Sequence, residues 1–297
     1  MSLYFDERVA IVTGAGGGLG RSHALELARR GARIVVNDVG GSVHGDGASR
    51  GAAEAVVDEI AALGGTAVAN HDTVATADGG RAIVQAALDA FGRIDVVVNN
   101  AGILRDKAFH KMDADMIDAV IDVHLRGSLF VSQPAFAVMR QAGYGRIVNT
   151  TSASGLFGNF GQANYGAAKA GIAGLTRVLA IEGAAHGIKV NAIAPLAATR
   201  MTEGILGDLA SRVTPDSVSP VVAYLAHESC RANGDVFSVA GGRVAKIFVA
   251  ETVGAVLSEL TPEAVADQLD MIENQADYHQ PASLDAATTI IAESLAS

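Results

Sequence analysis

An apolar run that ends in a glycine-rich turn and leads into a helical stretch opens the chain. Residues 8–13 form the run, and the turn is Thr13-Gly-Ala-Gly-Gly-Gly-Leu-Gly20. Helical spacing follows over residues 19–30, stops at Gly31, and gives way to a second apolar run at 33–38. This order predicts a strand–helix–strand unit. Because the crossover helix must cover one face, such a unit commits the chain to a parallel sheet flanked by helices.

The same alternation continues along most of the chain. A glycine-rich loop at 39–51 separates the first unit from the rest. Further strands are predicted at 66–70, 94–99, 146–151, 189–194 and 234–242, with helices at 52–63, 77–91, 114–139 and from Tyr165 to about 186. The sequence therefore predicts an α/β, Rossmann-like, doubly wound parallel sheet with helices on both faces.

Residues 1–250 are predicted to form this single domain, and residues 251–297 a helical C-terminal extension. Thr261, Pro262 and Glu263 are a favourable helix start, since they supply a capping hydroxyl, proline at the first position and an acidic first turn. A second helix is predicted at 283–295. We expect the extension to pack on the same domain or on a neighbouring subunit.

The composition limits the classes of partner. The 297-residue chain is 49% hydrophobic, enough for the core of one large α/β domain, and carries a formal charge of −10. This charge argues against a nucleic-acid or anionic-membrane binder, but helix N-termini still hold anions in acidic proteins. The single cysteine, Cys230, favours a reducing compartment and is interpreted as a small buried residue rather than a nucleophile. The sequence has no apolar run long enough to span a membrane, no leader and no peroxisomal C-terminal signal, so we expect a cytoplasmic protein. We also expect no metal site.

Three residues have the chemistry of a proton-transfer site. Tyr165 and Lys169 are four positions apart, so they share one face of a helix. A nearby ammonium favours the phenolate, and Ser152, which follows the strand at 146–151, can hold a substrate oxygen against the tyrosine. A Tyr-x-x-x-Lys pair alone is more often a helix surface, and a serine before a helix more often a cap. Their occurrence after a glycine turn favours catalysis.

The glycine turn suits a dinucleotide. Gly14, Gly18 and Gly20, with Leu19 between the last two, let the backbone approach a pyrophosphate while the next helix points its N–H groups at the charge. Asp38 ends the second strand, where a carboxylate accepts ribose hydroxyls and repels a 2′-phosphate, so NAD is expected as cofactor rather than NADP. Two alternatives remain: Asp38 as a turn former, and Arg21 as a ligand for a 2′-phosphate.

These residues, together with Asn99-Asn-Ala-Gly102, resemble the classical short-chain dehydrogenase/reductase family over about residues 5–245. The resemblance implies that Ser152, Tyr165 and Lys169 are catalytic. It also implies cofactor contacts, placing Asp72 and Thr73 at the adenine, Asn99, Ala101 and Gly102 in the turn beside the cofactor, and Pro195 and Thr199 at the nicotinamide. The Pro195 segment departs from the family pattern, which has glycine after the proline and one more residue before Met-Thr.

His124 is a second departure, because the family has an asparagine there that holds a water in a proton relay to the lysine. A histidine also bonds to water or a backbone carbonyl and titrates near neutral pH, so His124 is a fourth candidate catalytic residue. A packed helix histidine is the alternative.

Several stretches resemble one subgroup, the (3R)-hydroxyacyl-CoA dehydrogenase portion of peroxisomal multifunctional enzyme type 2 and its bacterial relatives. They include Val36 to Gly41, Ala90 to Asp106, His124 to Ser128 and Gly158 to Tyr165. This resemblance implies NAD-dependent oxidation of (3R)-hydroxyacyl-CoA to 3-ketoacyl-CoA. A 3-oxoacyl reductase, a hydroxysteroid dehydrogenase and a non-catalytic NAD-binding regulator remain alternatives.

The sequence gives the weakest signals for the residues that would contact the substrate. Residues 196–216 are expected to cover an acyl-CoA-like or steroid-like substrate, with Met201, Ile205 and Leu206 as apolar contacts. Arg105, Lys107 and Arg200 are candidates for CoA phosphates or simply solvated charges. The family pairs subunits through long helices, and the small residues from Ala167 to Gly174 permit close helix approach, so a homodimer or homotetramer is expected.

Overall fold

The computed structural model describes residues 3–47, 49–202, 204 and 206–296. An eight-stranded sheet forms its centre, with strand order β3-β2-β1-β4-β5-β6-β7-β8. The strands are β1 Val9–Thr13, β2 Arg33–Asn37, β3 Thr66–Asn70, β4 Val96–Asn99, β5 Gly145–Thr150, β6 Ile188–Pro195, β7 Val236–Ala240 and β8 Arg243–Ile247. The helices that accompany the sheet are α1 Gly18–Arg29, α2 Gly51–Ala62, α3 Ala77–Phe91, α4 Ala114–Ile121, α5 Gly127–Ala142, α6 Ala153–Phe157, α7 Ala163–Gly183 and α8 Ser219–Ala226.

Parallel pairing runs from β3 through to β7. The chain moves outward from β1 through β2 to β3, then returns across β1 to place β4 on its other side. At such a reversal the carboxyl ends of β1 and β4 leave a crevice, which is where open α/β sheets bind ligands. The predicted doubly wound fold is therefore confirmed.

Buried side chains cover both faces of the sheet. In β1, Ala10 and Val12 pack into one hydrophobic cluster, and Val9 and Ile11 pack into a second. All five residues of β1 are buried. Because successive strand residues point to opposite faces, a strand that is covered on both sides must be apolar at nearly every position, as this run is.

Two predictions about the elements need correction. The predicted helix at 114–139 contains a π-helical turn at Asp122–Arg126 between α4 and α5, and it continues to Ala142. The predicted last strand is followed by another, β8. Gly241 and Gly242 join β7 to β8 with φ of 53° and 88°, the left-handed backbone of a tight hairpin, so the sheet ends in an antiparallel strand.

The chain divides into two compact units, residues 1–246 and 247–297. The second contains α9 Pro262–Asp267, α10 Leu269–Ile272 and α11 Leu284–Ala296. Both predicted helices are confirmed, and the Thr261 hydroxyl accepts the Ala264 N–H as the expected cap. A two-stranded antiparallel sheet, β9 Glu251–Thr252 with β10 Tyr278–His279, was not predicted. No residue described in this unit is buried, so it has no core of its own in the described range.

Among the described residues, none of the helices combines the length and the apolar character that crossing a bilayer requires.

Candidate active site

A cavity of about 260 Å³ lies at the carboxyl ends of β1 to β4, at the reversal of the sheet. Most predicted cofactor residues line it, and further residues join them. The lining comprises Gly14, Gly17, Gly18 and Leu19 of the glycine turn, Asn37 to Val39, Gly41 to Val43 and Gly45, Asp72 to Val74, Asn100 to Ile103, Val123, and Thr199 to Met201.

The glycine turn is packed so closely that two of its positions have no room for a side chain. Gly14 has a φ of 64°, and a Cβ on it would lie 2.8 Å from Ala101 Cα. A Cβ on Gly20 would lie 2.1 Å from the Gly14 carbonyl oxygen, which explains why Gly20 supports the turn without lining the cavity. Helix α1 begins with no side-chain cap and no acid in its first turn. Its first N–H groups are thus left for a ligand, and an anion suits them.

Asp38 joins the glycine turn to the loop after β2. Its Oδ2 accepts the Gly16 N–H at 2.7 Å, and its Oδ1 accepts the Gly40 N–H at 2.6 Å. A carboxylate has about four acceptor positions, so two remain for ribose hydroxyls. Arg21 is bound to Glu59 and does not line the cavity, which argues against the alternative that it serves a 2′-phosphate.

Asparagine side chains fix the segment after β3. Asn70 Nδ2 donates to Asp72 Oδ2 at 2.8 Å, and Asn37 Nδ2 donates to the Asp72 carbonyl at 2.8 Å. Asp72 and Thr73 therefore line the cavity on a segment that is tied to β2, together with Val74.

The Asn-Asn-Ala-Gly turn after β4 contributes in two ways. Asn99 is buried, and its Nδ2 donates to Ser132 Oγ and Asn149 Oδ1, both at 2.8 Å, so it supports the sheet from behind the cavity. Asn100, which the sequence did not single out, lines the cavity and donates to the carbonyls of Thr13 and Gly14. The turn is therefore bonded to the end of β1.

The three core catalytic candidates meet where β5 ends and α7 begins. Ser152 caps α6 by accepting the Ser154 N–H at 3.2 Å, and its hydroxyl is near enough to Tyr165 to act on the pKa of that side chain. Lys169 Nζ donates to the Thr150 carbonyl at 2.6 Å and lies 5.5 Å from the centre of the Tyr165 ring. The sequence prediction that these residues form one group agrees with this geometry.

Burial dominates the electrostatics of this group. It lowers the pKa of Lys169 to about 7, because a buried ammonium loses its hydration. It also raises the pKa of Tyr165, and the hydrogen bond from Ser152 opposes this only in part. The expected lowering of the tyrosine pKa by the lysine is not seen, since the cost of burying the phenolate is the larger effect. The protonated phenol is thus the resting form.

His124 connects the catalytic group to the cavity. Its ring is 2% exposed, contacts the Tyr165 ring edge-on at 5.2 Å, and places Nε2 2.8 Å from the carbonyl oxygen of Ile103, a cavity residue. Burial and the nearby Lys169 hold the pKa of His124 well below its usual value, so the ring is neutral. A Cβ on Gly102 would lie 2.4 Å from this ring, which accounts for the glycine there.

Nε2 of His124 also lies 3.0 Å from the Ile103 nitrogen, so the tautomer of the neutral ring sets the role of Nδ1. Nδ1 is an acceptor when Nε2 donates to the carbonyl, and a donor when Nε2 accepts the N–H. This atom is buried and has no hydrogen-bond partner among the described residues. His124 is thus neither a purely apolar packing residue nor a charged group. It combines a backbone contact with an unpartnered ring nitrogen, which suits it to hold a water in either tautomer.

The segment after β6 covers part of the cavity. Thr199 lines it, whereas Pro195, the last residue of β6, does not. Thr202 organises the segment, because its Oγ1 donates to the Ala197 carbonyl at 2.7 Å and accepts the Thr199 N–H at 2.9 Å. Met201 also lines the cavity, while Ile205, the predicted apolar contact beside it, lies outside the described residues.

The order of these elements and this arrangement of side chains match a known family. Residues 8–208 match the family model described as short chain dehydrogenase. The chain belongs to the short-chain dehydrogenase family. It is therefore an oxidoreductase that acts on a CH–OH group, and its family uses NAD or NADP.

Relatives refine this placement. Peroxisomal multifunctional enzyme type 2 of Mus musculus is 49% identical over 298 residues, which cover 99% of this chain and 40% of the relative. The solved structure of full-length peroxisomal multifunctional enzyme type 2 from Drosophila melanogaster matches with a TM-score of 0.84 and 40% identity, covering 99% of this chain and 50% of that one. A short chain dehydrogenase from Mycobacterium avium matches with a TM-score of 0.80 and 44% identity, covering 90% of this chain and 95% of that one. This chain thus spans half or less of the two multifunctional enzymes.

Besides Asn100, sequence reasoning missed the loop after β2 and Gly17 in the cavity of this short-chain dehydrogenase, and it had considered Arg200 only for CoA phosphates or solvent. The loop after β2 forms a wall, and its Val43 carbonyl accepts the Leu104 N–H at 2.9 Å. Gly17 is the residue that immediately precedes α1. Arg200 enters the cavity on the segment after β6. The glycines from Gly40 to Gly47 were a sequence signal for the loop. The position of Arg200 in the cavity depends instead on how segments far apart in the sequence pack together.

Proposed function

We propose that this protein is an NAD-dependent dehydrogenase that oxidises a (3R)-hydroxyacyl-CoA to the 3-ketoacyl-CoA. The observation that carries the proposal is the Ser152–Tyr165–Lys169 group beside a dinucleotide cavity, in a chain aligned over 99% of its length with a peroxisomal multifunctional enzyme. The subgroup motifs from Val36 to Gly41 and from Gly158 to Tyr165 support the same substrate class.

The residues around the cavity fit NAD. The open N-terminus of α1 suits a pyrophosphate, and the two acceptor positions left on Asp38 suit ribose hydroxyls. A carboxylate at Asp38 repels the 2′-phosphate of NADP, and Arg21 is already paired with Glu59. The bound nicotinamide would supply the hydride acceptor.

The side chains of the catalytic group handle the proton. Ser152 holds the substrate oxygen, and Tyr165 takes the hydroxyl proton in oxidation or gives it back in reduction. Lys169 would hold the ribose hydroxyls next to the tyrosine. Because the pKa of Tyr165 is raised, the phenol is ready to act as an acid, and oxidation requires its deprotonation. We therefore expect the oxidation rate to rise with pH and the reduction rate to fall.

The experiment is NADH formation, followed by absorbance, with purified protein and (3R)- and (3S)-hydroxyacyl-CoA of short and long chains. NAD and NADP are compared with each ester. Turnover of the (3R) ester with NAD, and much less with NADP, is expected. Turnover of the 3-keto ester with NADPH alone would instead assign a 3-oxoacyl reductase. Turnover of steroid alcohols but of no CoA ester would assign a hydroxysteroid dehydrogenase, and cofactor binding without any turnover a regulator.

We also propose that the protein forms a homodimer or homotetramer through α5 and α7. A surface groove between these helices is lined by Leu129, Phe136, Leu175 and Leu179, and Leu129 is 41% exposed. Exposed apolar surface of this kind favours association. Light scattering at micromolar concentration should give a mass of two or four chains, and a monomer would reject the proposal.

A cytoplasmic location remains our proposal, and the peroxisomal names of two relatives make the peroxisome the competing outcome. Fractionation of cells that express the untagged chain, followed by immunodetection, would separate the two. Recovery with a peroxisomal marker would reject the cytoplasmic assignment.

A further inference from the structure

Three charged side chains line the dinucleotide cavity among the described residues: Asp38, Asp72 and Arg200. Two of them are carboxylates, so without Arg200 the side chains would give the cavity a net negative charge. A dinucleotide pyrophosphate carries two negative charges and is repelled by such a cavity. Arg200 is the cation among them, and it offsets one of the two carboxylates.

The guanidinium of Arg200 lies over the glycine turn. Its Nη2 is 3.7 Å from the position that a Cβ on Gly17 would take, and Gly17 directly precedes α1. The Thr199 methyl group is 3.6 Å from the corresponding position on Gly18. Arg200 therefore lies close to the uncapped N-terminus of α1, where the first N–H groups of the helix are unpaired.

Arg200 is also available for a ligand. Among the residues that the structure describes, its guanidinium makes no ion pair and no hydrogen bond. Arg21, the arginine nearest to the turn in the sequence, is by contrast bound to Glu59 through two nitrogen atoms. A planar guanidinium with free donors suits two phosphate oxygens at once.

Hydrogen bonds within the protein hold the turn that carries Arg200. Thr202 bonds to both Ala197 and Thr199, and the Ala198 N–H donates to the Val213 carbonyl at 2.6 Å. A guanidinium on such a turn loses less freedom on binding than one on a free loop, which favours affinity.

We propose that Arg200 binds the pyrophosphate of the dinucleotide and closes the phosphate site against the N-terminus of α1. This inference rests on the proposed use of a nicotinamide dinucleotide. It assigns Arg200 to the cofactor rather than to the phosphates of CoA, because its guanidinium lies over the glycine turn. The phosphate site of this chain thus combines backbone N–H groups from one segment with a side chain from another, more than 180 residues away.

Direct binding tests the proposal without turnover. Calorimetry would measure the dissociation constants of ADP-ribose, which has the pyrophosphate, and of adenosine, which lacks it. The proteins are the wild type, Arg200→Gln, Arg200→Lys and the control Arg231→Gln, whose arginine is exposed and does not line the cavity. Thermal unfolding of each variant checks that it is folded.

We expect Arg200→Gln to weaken ADP-ribose binding about tenfold or more, in line with the strength of charge-assisted hydrogen bonds, and to change adenosine binding less than twofold. Arg200→Lys should lie between, and Arg231→Gln should match the wild type. Added salt should weaken ADP-ribose binding more in the wild type than in Arg200→Gln.

Equal ADP-ribose affinities in the wild type and Arg200→Gln would overturn the inference and leave the proposed function intact. Equal losses for ADP-ribose and adenosine would also overturn it, because Arg200 would then shape the cavity rather than bind phosphate. A raised KM for the acyl-CoA with unchanged ADP-ribose binding would assign Arg200 to CoA instead. Failure of the wild type to bind ADP-ribose would reject the dinucleotide and the proposed function together.

Discussion

The cofactor side of this site, at the glycine turn, and its catalytic side, at Ser152, Tyr165 and Lys169, differ in which atoms form them. The cofactor side consists largely of backbone, with glycines at Gly14, Gly18 and Gly20 and the open first turn of α1. The catalytic side consists of side chains, two of which, Lys169 and His124, are buried polar groups. The cofactor side therefore depends on the absence of side chains at its glycines, and the catalytic side depends on the polar atoms of its side chains. Substitutions that add atoms should break the one, and substitutions that remove atoms should break the other.

The largest effect should come from removing one oxygen on the catalytic side. Tyr165→Phe leaves the ring in contact with His124 but removes the group that moves the proton. Turnover should fall by about a hundredfold or more, the usual value of general acid–base catalysis, while ADP-ribose binding stays unchanged. Steady-state kinetics and calorimetry measure the two effects. Tyr224→Phe, on an exposed tyrosine, is the control, and substantial activity in Tyr165→Phe would remove Tyr165 from the mechanism.

Adding one carbon on the cofactor side should have the next largest effect. A Cβ on Gly20 would lie 2.1 Å from Gly14 O and 2.6 Å from Asn100 Nδ2, so the turn must shift. Gly20→Ala should lower the free energy of unfolding by about 1–3 kcal/mol, as overpacking does, and weaken ADP-ribose binding. Denaturant unfolding measures the first change.

Gly174→Ala is the matched control for this substitution. No heavy atom lies within 4 Å of its Cβ position, and Gly174 is inside α7. Alanine there should stabilise the protein by about 0.5–1 kcal/mol through helix propensity. Equal effects of the two substitutions would show that the glycine turn is not tightly packed.

Because Lys169 is buried, it should make the free energy of unfolding depend on pH. The pKa of Lys169 is about 7 in the folded protein, whereas an exposed lysine titrates near ~10.4. Between these values the unfolded chain binds more protons, so the contribution of Lys169 to stability rises with pH. Urea unfolding of the wild type and Lys169→Met should show a stability difference that grows in favour of the wild type from about pH 7 to about pH 10. A constant difference would mean that the lysine is not strongly desolvated.

The smallest effect is expected at His124, which joins the two sides. His124→Ala removes the bond to Ile103 and the unpartnered Nδ1, and kcat should fall about tenfold, near the lower end of effects for groups that assist proton transfer. His124→Asn should recover most of the rate, because an amide also bonds to a carbonyl. ADP-ribose affinity separates the roles. A loss of affinity without a loss of kcat would make His124 a support for Ile103 alone.

The sequence predicted the backbone of the site better than its electrostatics. Glycines and apolar runs are local signals, so the turn before α1 and the position of Asp38 followed from spacing, whereas Asp72 came from the resemblance to the family. The pKa of Tyr165 did not follow from spacing, because it depends first on how deeply the fold buries the hydroxyl. It also depends on groups from other segments, Ser152, which lowers it, and Asp106, whose charge raises it. For the same reason, the sequence offered Arg200 only as a ligand for CoA phosphates or as a solvated charge, not as a residue of this cavity. The π-helical turn was also missed, since its residues have ordinary helical spacing.

That π-helical turn decides where this helix tolerates a change in chain length. A π turn holds one residue more than an α turn, so deleting one residue from Asp122 to Arg126 would restore a regular helix. The residues after the turn would keep their faces, so Ser132 would stay at Asn99 and the buried face of α5 would stay on the core. A deletion within α5 removes a residue from a regular helix instead, and everything after it would rotate by about 100°, the angle per residue of a helix. In this helix a deletion is therefore less costly to the core within the π turn than beyond it.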